Sequence, residues 1–81
     1  MLKKDKELLN KLAAMLENCP DGIRHIADVE QEKFDNWSER TQESEKGEMT
    51  EELIDKLTEV ADQLDDVVSS LQEAIDLAEE I

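Results

Sequence analysis

The chain has 81 residues, with 23 Asp and Glu against 9 Lys and Arg, and a formal net charge of −14 at pH 7. This length allows one small domain, near the size at which a single core becomes marginal. A charge of this sign repels phosphate backbones and anionic bilayers, so direct binding to nucleic acid or an anionic membrane is not expected, and a basic protein is the natural complement.

Residues 2–19 read as a first amphipathic helix, with Leu9, Leu12, Leu16 and Cys19 on one face and Leu8, Ala13 and Met15 widening it. Cys19-Pro20-Asp21-Gly22 is then a strong turn signal, because Pro lacks a backbone donor. The stripe nevertheless resumes in phase through Ile23 and Ile26. A full reversal would have no need to preserve that phase, so a kinked, continuous arm is expected over two separate helices. The stripe thins from Val29 to Asn36, and Asp35-Asn36-Trp37-Ser38 reads as the helix exit. The connection covers about 37–47, of which residues 38–47 are polar. The last helix starts at Ser44 or Thr50, either of which can cap it, with Glu51 and Glu52 well placed for the helix dipole.

From Thr50 onward a heptad is legible. Leu57, Leu64, Leu71 and Ala78 fall at a, Leu53, Val60, Val67, Ala74 and Ile81 at d, and Ile54, Ala61, Val68 and Ile75 at e. Position c is acidic every time, and b and f add further carboxylates. Residues 1–48 hold 8 Lys/Arg and 12 Asp/Glu, a net of −4, while residues 49–81 hold 1 and 11, a net of −10.

The expected fold is all-α: a long helical hairpin with its first arm (about 2–36) kinked near Pro20 and its second at about 48–81. One Phe, one Trp and no Tyr leave an aliphatic core. A two-helix monomer would bury only one face of each helix, so dimerisation into an antiparallel four-helix bundle is expected. The wide a/d/e stripe suits a bundle better than a two-stranded coiled coil. Leu9, Leu12, Leu16, Ile23, Ile26, Leu57, Leu64, Val68, Leu71 and Ile75 are the expected oligomer interface. Antiparallel arms would also set Lys3, Lys4, Lys6 and Lys11 near Glu73, Asp76, Glu79 and Glu80, where each exposed pair contributes roughly 0–1 kcal/mol.

The strings Gln31-Glu32-Lys33-Phe34-Asp35-Asn36, Gln42-Glu43-Ser44-Glu45-Lys46-Gly47-Glu48 and Glu51-Glu52-Leu53-Ile54-Asp55 carry a resemblance. From Val29 onward the chain resembles small acidic helical proteins of phages and mobile elements, which read EQEAFDN, then SERGE, then MEEAID. It departs from that pattern at Trp37, where Leu or Met is more usual, and at Pro20. The resemblance implies a setting, accessory phage or mobile-element cargo, and no reaction.

Catalytic chemistry finds little support. His25, the only His, falls at position c and faces solvent, while Cys19 falls at a d-type position where a buried thiol acts as a small hydrophobe. Two glycines cannot build a phosphate loop. The carboxylates point away from the core and no E-x-x-H pair occurs, so no metal, cofactor or catalytic residues are expected. The lone cysteine and the absence of an apolar span suggest a cytoplasmic protein, in the host cell if phage-encoded.

The acidic helix is the sharper feature. Rows of carboxylates on a rigid helix could imitate a duplex and occupy the basic groove of a host nucleic-acid-binding or defence protein. Asp55, Glu59, Asp62, Asp65, Asp66, Glu73 and Asp76 would make the contacts, with Trp37 as an aromatic anchor. An anti-defence inhibitor acting as a DNA mimic is the concrete form. The alternatives are a structural or assembly module whose charge only confers solubility, and a Trp37 that plugs the end of the bundle beside Phe34.

Overall fold

A computed structural model describes residues 1–81. It contains no strands: α1 spans Lys3–Glu17, α2 Cys19–Asn36, α3 Glu39–Gln42 and α4 Glu45–Glu80. Both α1 and α2 pack against α4, giving an extended antiparallel hairpin of 60 × 14 × 13 Å.

Only Asn18 separates α1 from α2, and its own backbone is helical (φ −87°, ψ −13°). The first arm is thus bent and not reversed. Pro20 sits in the first turn of α2, where a missing amide hydrogen costs least. Its ring is the bulkiest fully buried side chain, so the kink residue is also part of the core.

The seam between the arms follows a 4-3 spacing. Leu9, Ala13, Leu16, Pro20, Ile23, Ala27 and Phe34 are buried or half-buried on the first arm. On α4 the same holds for Thr50, Ile54, Leu57, Ala61, Leu64, Val68, Leu71, Ile75 and Ala78. Ala13, Ala27, Ala61 and Ala78 are among the seven buried residues. Small alanine side chains thus fill much of the seam, together with the buried Ile75. Three placements expected from the sequence change accordingly. Cys19 is exposed, because the seam runs through Pro20 and a residue one step earlier points about 100° away. Leu12 and Ile26 are exposed for the same reason.

The connection is built from caps. Ser38 accepts from the Thr41 amide and closes the start of α3, a short turn that the polar sequence did not reveal. Gln42 Nε2 donates to the Phe34 carbonyl at 2.8 Å, satisfying the end of α2. Ser44 accepts from the Gly47 amide at 3.4 Å, so α4 begins there and not at Thr50. At 36 residues α4 runs about 54 Å. Gly47 is buried against the backbone of Thr41 and Gln42. The Ser44–Gly47 stretch is therefore the turn chemistry of the hairpin.

Candidate partner-binding surfaces

The hairpin has two unlike flanks. In antiparallel helices a one-residue step back along each chain turns both side chains toward the same flank, and a step forward turns both toward the other. Stepping back from the seam reaches Leu8, Leu12, Met15 and Ile26 on the first arm and Leu53, Val60 and Val67 on α4. Apart from the half-buried Val60, all are exposed. Stepping forward reaches Arg24 on the first arm and Asp62 and Asp65 on α4. One flank is mainly apolar, interrupted by Lys33, Lys56, Gln63 and Ser70, and the other is polar.

Arg24 organises the polar flank. Its guanidinium donates to Asp62 at 2.9 Å and also to Asp65, with Asp21 at 3.8 Å on its own helix. The hydrogen bonds that Arg24 donates, to Asp65 first and then to Asp62, hold its pKa above its ordinary value. The contacts with Asp62 and Asp65 are the only ion pairs between the two arms; the others are the local pairs Arg24–Asp21, Lys33–Glu30 and Lys56–Glu59. Arg24 was legible as the one cation between Lys11 and Lys33, but its reach to α4 was not. The terminal lysines do not behave as expected. Lys3, Lys4, Lys6 and Lys11 make no ion pair with Glu73, Asp76, Glu79 or Glu80. Lys3, Lys4 and Lys11 are exposed, where hydration and rotamer entropy offset a screened attraction.

All seven carboxylates considered for partner contact are exposed. They divide into two groups. Asp62 and Asp65 are engaged by Arg24, and Glu59 lies 3.6 Å from Lys56. Asp55, Asp66, Glu73 and Asp76 have no cation partner. Trp37 is half-buried at the loop end. Its ring meets Phe34 at 5.9 Å between centroids, and Lys46 Nζ lies 4.6 Å from its centre. Trp37 thus closes the end of the seam, with its outer face under a cation.

Of the ten residues considered for an oligomer interface, eight face the seam inside one chain: Leu9, Leu16, Ile23, Leu57, Leu64, Val68, Leu71 and Ile75. Leu12 and Ile26 remain available outside it. The apolar flank adds Leu8, Met15, Leu53 and Val67. The broad stripe contained all of them, without dividing seam from flank.

His25 lies in a shallow open groove with Asp28, Gln31 and Glu32. No three His, Cys, Asp or Glu side chains converge as metal ligands would, and no helix is long and apolar enough to cross a membrane. No protein-family model, curated protein or solved structure matches the chain.

Proposed function

We propose that the chain is a non-enzymatic binding protein that pairs with a second copy into a four-helix bundle and presents its acidic helices to a basic host protein. In the phage or mobile-element setting that the resemblance implies, the concrete form is an anti-defence inhibitor that mimics DNA. The observation that carries this reading is the row of exposed, unpaired carboxylates at Asp55, Asp66, Glu73 and Asp76 along one continuous helix. Charge density supports it. Two copies, each of net charge −14 over 60 Å, carry about one negative charge per 2 Å. A duplex carries one per about 1.7 Å of axis.

The test is a pull-down from nuclease-treated host lysate using the whole chain. A basic protein should be retained, released as salt rises, and displaced by a duplex oligonucleotide. The combined Asp55→Asn, Asp66→Asn, Glu73→Gln and Asp76→Asn variant should retain at least about tenfold less of it with unchanged helical circular dichroism. Equal retention by that variant refutes the mimic. A second reading, an assembly module whose charge only solubilises it, is favoured by the exposed apolar flank. It predicts retention that survives neutralisation and is lost on Val67→Asp.

A further inference from the structure

We propose that the second copy covers the apolar flank antiparallel to the first, on a two-fold axis that passes through Cys19 of the first arm and Val67 of α4. This rests on the pairing in the reading above and adds its face, direction and register.

The exposed area asks for such a cover. The chain exposes 6266 Å², against roughly 5,000 Å² for a compact monomer of 9.3 kDa. Its radius of gyration is 18.3 Å, where about 12 Å is usual for this length. The excess of about 1,300 Å² exceeds the roughly 800 Å² per partner of a standard interface. Exposed large apolar side chains on the flank, Leu8, Leu12, Met15, Ile26, Leu53 and Val67, are what such a cover would bury.

Register identifies the cover as another copy. On the first arm, one heptad column of the flank reads Asp5, Leu12, Cys19, Ile26, Lys33. Reversed about Cys19, it complements itself. Leu12 meets the partner's Ile26, Asp5 meets the partner's Lys33, and Cys19 meets its own counterpart. On α4 the flank column reads Leu53, Val60, Val67, Ala74, Ile81. Reversed about Val67, it sets Val60 against the partner's Ala74 and Leu53 against the partner's Ile81. The two centres lie level. Arg24 pairs with Asp62 and Asp65, so Cys19, five residues earlier, stands beside residues 68–69 of α4. That is within roughly 2–3 Å of Val67 along the axis. A single two-fold therefore generates both seams. The opposite arrangement, loops together, would bring Glu39, Glu43 and Glu45 beside their own counterparts and lose the Asp5–Lys33 match.

Light scattering and thiol oxidation test this on the intact chain. The native protein should have a dimer mass, and copper-phenanthroline oxidation should join Cys19 to Cys19, since facing positions on antiparallel neighbours can reach disulfide geometry. In a Cys19→Ser background, Val67→Cys should cross-link at a similar rate. Leu53→Cys, whose thiols would lie about 42 Å apart, should cross-link at least tenfold more slowly. A dimer mass with no bridge at Cys19 or residue 67, or with equal rates at all three sites, overturns the direction and register. A monomeric mass at micromolar concentration overturns the pairing itself.

Discussion

Gly47→Ala should destabilise the hairpin even though alanine is the better helix former. Position 47 lies in the first turn of α4, where the exchange would by itself add roughly 0.5–1 kcal/mol of stability. An added Cβ, however, would sit 2.0 Å from the Gln42 carbonyl oxygen, 2.5 Å from its carbon and 2.7 Å from the Thr41 oxygen. All three are backbone atoms, so no side-chain rotation relieves the overlap. That backbone is tied down: the Gln42 amide donates to Ser38 O at 3.0 Å, and the Ser44 amide donates to Thr41 O at 3.1 Å. Moving α3 aside would strain these bonds, the Gln42 bond to Phe34 and the Ser44 cap. Overpacking of this kind costs about 1–3 kcal/mol, and loss of the cap costs about 1 kcal/mol. Set against the propensity gain, the net loss is about 2 kcal/mol, or a fall in Tm on the order of 10 °C for a chain of this size. Gly22 supplies the contrast, since a Cβ there meets nothing within 4 Å. Gly22→Ala should gain up to about 1 kcal/mol by restricting the unfolded chain. Thermal and urea unfolding followed by circular dichroism, at one fixed chain concentration, would measure both. A Gly47→Ala protein as stable as Gly22→Ala would refute the close approach of the turn to α4.

Two further substitutions probe the seam and its polar flank. Ala61 is 0% exposed, so Ala61→Leu should force the arms apart and cost about 1–3 kcal/mol, read as a lower urea midpoint. Arg24→Gln leaves Asp21, Asp62 and Asp65 without their shared cation. Its Tm should fall below the native value in low salt and recover in high salt, where like-charge repulsion is screened; equal melting in low salt would show that the cluster contributes nothing.

The sequence by itself determined that this chain is two helical arms joined by a polar turn. The 3-to-4-residue spacing of apolar side chains is a local property, and so are the breaks at Pro20 and at the capping serines. In-phase spacing across Pro20 also indicated that the arm bends without reversing, as it does at Asn18. The acidic outer face was legible for the same reason, because helical periodicity alone sends positions b, c and f to one side.

Only the tertiary structure decided which part of the broad apolar stripe faces the other arm. A stripe spanning a, d and e can rotate by tens of degrees and still bury aliphatic surface, so composition does not choose. The packing of the two arms does, and it buries Ala13, Ala27, Ala61 and Ala78 in the seam. That choice turns Leu12, Cys19, Ile26, Leu53 and Val67 outward. It also brings Arg24 to Asp62 and Asp65, 38 and 41 residues away along the chain. Such a contact depends on the relative rotation and offset of two helices, and no local pattern encodes either.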